Sequence, residues 1–128
     1  MIVFDTGALV ALERNDRKLW VRLDEAIRAD IPVVVPVGAL AQAWRGGPRQ
    51  ARLARAMSDL EPASFDEVAL AAGELCGKAG TGDVIDASVA VIGARPAVSH
   101  VYTSDPEDIG LLLRAAGRKR NKPQIVPC

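Results

Sequence analysis

The sequence predicts an α/β protein in three layers, with a central, mainly parallel sheet flanked by helices. Two observations lead to this prediction. Short apolar runs rich in β-branched residues alternate along the chain with longer segments of helical periodicity, the pattern typical of parallel sheets covered by helices. Aspartates also stand where several of these runs stop. At 128 residues the chain is expected to form a single domain, 1–128.

The strands are predicted from short apolar runs with clear ends. The first run leads into Asp5, and the second consists of three valines between two prolines. These and two later runs predict strands at 2–5, 32–36, 98–103 and 124–126.

The helices are predicted from apolar residues that recur every three or four positions. One of them, ended by Gly46-Gly47-Pro48, follows the second strand directly, and another, 83–94, is apolar nearly all round, as buried helices are. The predicted helices are 6–14, 19–29, 37–44, 49–60, 65–78, 83–94 and 106–116.

The composition excludes several classes of protein. The formal charge is zero, so any nucleic-acid partner must contact a local basic patch. Two cysteines are too few for a disulfide framework or a zinc site, and no apolar run approaches the roughly 18 residues of a membrane span. We therefore expect a cytoplasmic protein that does not enter a membrane.

Two basic patches stand out from this balanced composition. Their cations either form a solvated face or follow a phosphate backbone. The first patch is Arg45, Arg49, Arg52 and Arg55, and the second is Arg114, Arg118, Lys119, Arg120 and Lys122.

Four aspartates are the candidate functional residues: Asp5, Asp83, Asp86 and Asp105. In an open α/β sheet the carboxyl ends of the strands converge on one crevice, where ligands bind. Carboxylates gathered there repel one another unless they share a proton or bind a hard divalent cation through oxygen. The sequence therefore predicts a metal-dependent site.

Each aspartate also has a structural interpretation. Asp83 opens a helix, where the helix dipole favours acids, and Thr81 just before it is a candidate cap. Asp105 precedes a proline and further acids, which reads as a helix cap. Asp86 lies one turn deeper in the same helix as Asp83, where capping no longer accounts for a carboxylate. Asp5 leads from the first strand straight into a helix, and we expect it to be functional.

Together these motifs resemble the PIN-domain family. The matching segments are Ile2-Val-Phe-Asp5-Thr-Gly-Ala-Leu, Asp86-Ala-Ser-Val-Ala and Thr103-Ser-Asp105-Pro-Glu-Asp. Within that family, Val35-Pro-Val-Gly-Ala-Leu-Ala-Gln-Ala-Trp-Arg-Gly-Gly resembles the VapC toxins of type II toxin-antitoxin modules. The resemblance covers nearly the whole chain, and it rests on the order and spacing of motifs that are individually weak.

The resemblance implies a PIN-like fold and an endoribonuclease that uses Mg²⁺ or Mn²⁺ to cleave RNA. It also implies a cognate antitoxin that holds the enzyme inactive, and a homodimer. By position, Asp5, Asp86 and Asp105 match the family's catalytic and metal-binding acids, and Asp83 matches an additional acid. The chain departs from the pattern at Gln42, where the family usually has a glutamate; an amide brings neither charge nor basicity to a metal.

Other residues are expected to support this site. Thr6, Thr103 and Ser104 stand beside the acids and are candidates to orient water or phosphate, although hydroxyls there also cap helices. Gln42 is a further candidate, as a neutral oxygen ligand. Three residues near Trp44 either pack in the core or an interface or form a candidate groove for an antitoxin helix: Leu40, Ala43 and Leu53. The candidate RNA contacts are Arg45, Arg49 and Arg52.

Two other kinds of function are compatible with the sequence. A PIN-like scaffold weakened by Gln42 would bind RNA or protein without cleaving it. A phospho-acceptor receiver domain also gathers acids at strand ends. A receiver, however, needs paired acids after its first strand and a lysine at the end of its last, whereas Asp5 stands alone before Thr6.

Overall fold

The computed structural model describes residues 1–117 and 122–128, and it confirms the predicted fold class. Its five strands are β1 Ile2–Phe4, β2 Val33–Pro36, β3 Glu61–Ala63, β4 His100–Thr103 and β5 Gln124–Pro127. All neighbouring strands are parallel, and their order across the sheet is β3-β2-β1-β4-β5. Helices cover both faces of this sheet, which gives the predicted three layers.

The helices agree with the predicted ones apart from their ends. They are α1 Thr6–Glu13, α2 Arg17–Arg28, α3 Val37–Ala43, α4 Ala51–Met57, α5 Ala69–Ala79, α6 Val84–Gly93 and α7 Pro106–Ala115. The largest differences are at α4, which follows a separate 3₁₀ turn at Pro48–Gln50, and at α5, which begins after a turn over residues 65–68. Among the described residues, none of these helices has the length and apolarity that crossing a membrane requires.

One strand, β3, was not predicted from the sequence. It has only three residues, Glu61-Pro62-Ala63, of which the first two are exposed. Proline removes a backbone donor, and in the middle of a strand it is tolerated best where that strand has only one neighbour. β3 lies at the edge of the sheet beside β2, so a proline that argues against a central strand is compatible with this one.

Alternate residues of the central strands point to opposite faces and build two separate cores. Ile2 and Phe4 of β1 pack with α1, α2 and α4 on one face. Val3 between them packs with α5, α6 and α7 on the other face. Because side chains alternate along a strand, three consecutive fully buried residues require helices on both sides of the sheet.

The strand order distinguishes this fold from that of a receiver domain. The chain runs from β1 outward to β3 and then returns to β4 beside β1. In the receiver order, 2-1-3-4-5, the neighbour of β1 on that side is the third strand. The structure therefore argues against the receiver interpretation, and it places the reversal of strand order, where ligands bind in open α/β sheets, between β1 and β4.

Of the three residues of the candidate groove, Leu40, Ala43 and Leu53, two belong to the core instead. Ala43 is only 6% exposed and Leu53 is fully buried, both in the core under α1 and α2. Side chains that are buried in this way cannot line an open groove, so the structure favours the core-packing interpretation for these two residues. Trp44 beside them is exposed.

Candidate metal centre

Asp5 is the buried carboxylate of the site. It follows β1, serves as the N-cap of α1, and is 4% exposed. Its Oδ1 accepts a hydrogen bond from the backbone N–H of Ala8 at 3.0 Å, and the hydroxyl of Thr103 is also hydrogen-bonded to the carboxyl. Burial raises the pKa of Asp5 more than these hydrogen bonds lower it, and the charge of Asp105 raises it further.

Gly7 allows the start of α1 to approach the loop that follows β4. A Cβ atom at Gly7 would overlap the side chain of Ser104 and lie 2.8 Å from its backbone nitrogen. Only glycine fits this contact, which brings the loop carrying Asp105 against the helix that Asp5 caps. Two acids that are a hundred residues apart in sequence are thereby brought to one place.

Asp83 and Asp86 have different roles in the same helix. Asp83 is the N-cap of α6, and its Oδ1 accepts from the backbone N–H of Asp86 at 3.0 Å. Thr81, the expected cap, instead accepts a hydrogen bond from the backbone of Asp83. The Asp86 side chain is half-buried, and burial together with the charge of Asp83 raises its pKa from 3.8 to about 7. Asp86 is therefore a carboxylate whose negative charge lacks compensation.

Asp105 occupies the N-cap position of α7 without capping it. Pro106 follows at the first helical position, as expected, but the Asp105 carboxylate accepts no hydrogen bond from the first turn. The backbone N–H of Asp105 instead donates to the Thr103 hydroxyl at 2.9 Å. The capping interpretation is thus correct for the position and wrong for the side chain, which lies with the neighbouring carboxylates instead.

Asp86, Asp105 and Asp108 form a cluster in which one carboxylate oxygen from each lies within 4.8 Å of the others. The hydrogen bond to Asp105, and then its charge, raise the pKa of Asp108. These donors are all oxygens and all acidic, the set that Mg²⁺ and Mn²⁺ prefer. The residues therefore fit a divalent cation.

Asp108 was not a candidate from the sequence, although the signal was present. It follows Asp105 by three residues, the same spacing that links Asp83 and Asp86, and this spacing places side chains on one helix face. The sequence pattern reads Asp108 only as one of the acids that accompany the helix cap at Asp105, and this interpretation leaves out its position beside the other carboxylates.

An open cleft with a volume of about 660 Å³ lies over the carboxyl ends of β1 and β4. The predicted residues that line it are Asp5, Thr6, Gln42, Asp86, Ser104 and Asp105. The Thr6 hydroxyl donates to Oε1 of Gln42 at 2.7 Å, and it also lies 3.3 Å from the carbonyl oxygen of Ala39. Gln42 thus lies where the resemblance places an acid, with its amide oxygen engaged by a neighbour.

Other predicted residues lie outside this cleft. Thr103 is fully buried beneath it, and Asp83 lines a smaller pocket next to it together with Asp86 and Asp108. The three candidate RNA contacts, Arg45, Arg49 and Arg52, are exposed but do not line the cleft. Of the second basic patch, Arg118, Lys119 and Arg120 lie outside the described residues.

Three residues of the cleft were not anticipated. Arg14, at the end of α1, is the one basic residue that lines it among residues 1–117 and 122–128. Asp16 caps α2 by accepting from the backbone of Leu19 at 3.1 Å. Burial raises the pKa of the Cys128 thiol to about 12, so this thiol stays protonated and is a poor nucleophile. No sequence pattern marks these residues, because they come from the end of α1, the start of α2 and the residue after β5, which meet only in the folded protein.

Comparison with known proteins adds no identification: no family model, curated protein or solved structure matches the chain.

Proposed function

We propose that the protein is an Mg²⁺- or Mn²⁺-dependent endoribonuclease, a VapC-like toxin of a type II toxin-antitoxin module. The observation that carries the proposal is the cluster of Asp86, Asp105 and Asp108 at the strand-order reversal, beside the buried Asp5. An all-oxygen acidic site of this kind suits phosphodiester hydrolysis, in which a bound divalent cation polarises water and neutralises the leaving oxygen.

The side chains of the cleft and of the pocket next to it would have different roles in phosphodiester hydrolysis. Asp86, Asp105 and Asp108 would hold the cation, and Asp5, fixed by its cap and by Thr103, would supply a further negative charge from below. The hydroxyl of Ser104, at the cleft wall, is placed to orient water or a phosphate oxygen. Arg14 is placed to contact an RNA phosphate, since a guanidinium pairs well with phosphate oxygens.

We extend the proposal to a cognate antitoxin and a homodimer. Support comes from large apolar side chains that the described structure leaves exposed on both helical layers. Leu70, Val84 and Leu111 lie on the layer formed by α5, α6 and α7, and Val21 and Trp44 lie on the opposite side of the sheet. Two such surfaces suit two protein contacts. Sedimentation of the purified chain tests the dimer, and co-purification with the protein encoded next to it tests the antitoxin.

Cleavage of total RNA and transfer RNA by the purified protein tests the enzymatic proposal. The assay compares Mg²⁺, Mn²⁺ and EDTA for the wild type, Asp5→Asn and Asp86→Asn. Asp59→Asn, exposed at the opposite edge of the sheet before β3, is the matched control. We expect cleavage that requires a metal, disappears in both site variants and persists in the control. Cleavage in EDTA, or in both site variants, would contradict the proposal.

The second candidate is a scaffold that binds RNA or protein without cutting it. The observation that favours it is the hydrogen bond from Thr6 to the amide oxygen of Gln42, which leaves that position without the charge of a glutamate. The variant Gln42→Glu separates the two candidates. A weakened enzyme gains cleavage and metal affinity in this variant, whereas a scaffold shows no cleavage in either form.

A further inference from the structure

A second groove adjoins the acidic cleft. Its volume is about 520 Å³, within the roughly 300–1,000 Å³ typical of small-molecule sites. It lies between α2 and the ends of β4 and β5, with an apolar floor formed by Val21, Val126 and Pro127. Asp16 and Cys128 line both the groove and the cleft, so the two are continuous. We call this site the flanking groove.

The flanking groove differs from the cleft in charge. Among the residues that the structure describes, three cations line it, Arg17, Lys18 and Arg22, against two acids that are already engaged. Asp16 caps α2, and Glu25 lies 3.6 Å from the guanidinium of Arg22. A polyanion that reaches the acidic cleft and Arg14 therefore finds further complementary charge in the adjoining flanking groove.

Helix stability does not account for Arg17 and Lys18. They form the first turn of α2, which contains no acid, and the helix dipole disfavours cations at this end. Within residues 1–117 and 122–128 neither forms an ion pair. These two exposed cations are therefore available to an anionic ligand.

Tyr102 provides a polar group on the wall of the flanking groove. Its ring packs edge-on against Phe4 at 5.4 Å between centroids, which holds it in place. Its oxygen accepts a hydrogen bond from Nε of Arg22 at 3.0 Å. The phenolic hydrogen is then free to donate, because the described residues include no acceptor for it.

We propose that the flanking groove binds the nucleotide next to the scissile phosphate of a single-stranded RNA. Its base lies on the apolar floor, its phosphate contacts Arg17 and Lys18, and the Tyr102 hydroxyl donates to an acceptor on the base or ribose. This inference rests on the proposed ribonuclease function. Single-stranded RNA exposes the unstacked bases and the backbone that such a site needs.

Binding of a fluorescently labelled single-stranded RNA, measured by anisotropy in EDTA, tests the inference while the RNA stays intact. The full chain is compared with Tyr102→Phe, Arg17→Gln and Lys18→Gln. Arg28→Gln, on the same helix but exposed and paired with Asp24 at 3.0 Å, is the control. Tyr102→Phe removes one hydroxyl and keeps the ring contact with Phe4, and unfolding curves establish that each variant is folded.

We expect Tyr102→Phe to bind RNA about three- to tenfold more weakly, the effect of one lost hydrogen bond, with an unchanged dependence on salt. Arg17→Gln and Lys18→Gln should each weaken binding and reduce the slope of log K against log salt by roughly 0.7 per lost phosphate contact. Arg28→Gln should leave both quantities unchanged.

The outcomes separate this inference from the proposed function. If the wild type cleaves RNA in a metal-dependent way but all three groove variants bind RNA as the control does, the inference is wrong and the ribonuclease proposal stands. The groove would then belong to another occupant, such as a peptide or a second copy of the chain. If the groove variants bind RNA weakly and no metal supports cleavage, the groove contact stands and the ribonuclease proposal is wrong.

Discussion

At the scale of a single residue, Asp86 has a negative charge that is unfavourable in its surroundings. It is half-buried among other acids, and its pKa rises from 3.8 to about 7 because its ionised form lacks a partner. A divalent cation between Asp86, Asp105 and Asp108 would supply that partner. The same residue thus links metal binding to the pH dependence of folding.

The raised pKa of Asp86 predicts that the metal-free protein loses stability as the pH rises. Between 3.8 and about 7 the folded protein holds a proton that the unfolded chain has released, so folding weakens with increasing pH across this window. We expect the wild type in EDTA to melt at a lower temperature at about pH 8 than at about pH 5. The melting temperature of Asp86→Asn should fall less between these two pH values. Equal losses in the two proteins would contradict this account.

Asp108 is predicted to bind metal more strongly than Asp83 does. Asp108 belongs to the carboxylate cluster, whereas Asp83 is occupied as the cap of α6. Asp108→Asn should therefore reduce Mn²⁺ affinity by roughly tenfold or more. Asp83→Asn should change it less, because asparagine also caps helices well. Calorimetric titration with Mn²⁺ measures both, and a larger loss in Asp83→Asn would show that the assignment is wrong.

At the residue scale the sequence predicted the acids, but it did not predict which of them cap helices and which face the cleft. Asp5, Asp86 and Asp105 line one cleft as expected. The position of Asp105 suggested a cap, yet its side chain leaves the helix N–H groups free. Which of several acids caps a helix and which faces a ligand depends on side-chain rotation, and helix periodicity carries no information about that.

At the scale of elements, glycines decide how closely helices and loops approach one another. Gly7 lies against Ser104 with no room for a side chain, whereas Gly73, exposed in α5, has no neighbour near its missing Cβ. The two glycines form a matched pair. Gly7 is required by its contact with the loop after β4, whereas Gly73 only weakens its own helix.

Gly7→Ala and Gly73→Ala are predicted to act in opposite directions. Gly73→Ala should stabilise the protein by up to about 1 kcal/mol, the difference in helix propensity. Gly7→Ala should cost about 1–3 kcal/mol through overpacking, and it should weaken Mn²⁺ binding because it displaces the loop that carries Asp105. Urea unfolding and Mn²⁺ titration measure these effects. Unchanged metal binding in a folded Gly7→Ala would contradict the role given to this contact.

Gln50 fixes the turn between α3 and α4. Its buried amide accepts from the backbone N–H groups of Arg45 and Gly46, at 2.7 and 2.8 Å, and donates to the carbonyl oxygen of Ala43 at 2.8 Å. The predicted Gly46-Gly47-Pro48 stop depends on this side chain as well as on the glycines, whose φ angles are 78° and 90°.

Gln50→Ala is predicted to destabilise the protein by about 2–3 kcal/mol, because it leaves buried backbone groups without partners. Gln42→Ala, at an exposed position, is the control and should stay within about 0.5 kcal/mol of the wild type. Urea unfolding tests both. A loss in Gln50→Ala no greater than that in Gln42→Ala would show that the turn is held by its glycines alone.

The sequence predicted the elements well where apolar periodicity was strong. β1, β2 and all the helices of the described structure were expected, whereas β3 was not, because its short exposed segment contains a proline. Edge strands need little apolar pattern, since they bury less and have one neighbour. Apolar periodicity is therefore a weak signal for short edge strands such as β3.

At the scale of the whole molecule, the topology explains why the site lies where it does. The chain fills one half of the sheet from β1 to β3 and then returns to β4, so the ends of β1 and β4 open on the crevice. Loops after both strands and the start of α6 deliver their acids there. The flanking groove continues from the same edge, where α2 meets the ends of β4 and β5.

The sequence alone could not predict this larger arrangement. Alternation of strands and helices indicated a parallel sheet, but it did not give the order of strands. It also placed the candidate RNA contacts at Arg45, Arg49 and Arg52, which lie away from the cleft, and gave no sign of Arg14, Arg17 or Lys18. Strand order depends on packing across the sheet. The same packing determines which cations line the cleft and the flanking groove.

The central claim is that the aspartates converge to hold a divalent cation. The most direct measurement is anomalous diffraction at the manganese edge from a crystal of the protein grown or soaked with Mn²⁺. We predict a peak coordinated by carboxylate oxygens of Asp86, Asp105 and Asp108, facing Asp5 across the cleft. The account would be contradicted if a crystal with the cleft open to solvent, at a saturating concentration of Mn²⁺, showed no anomalous peak among these side chains.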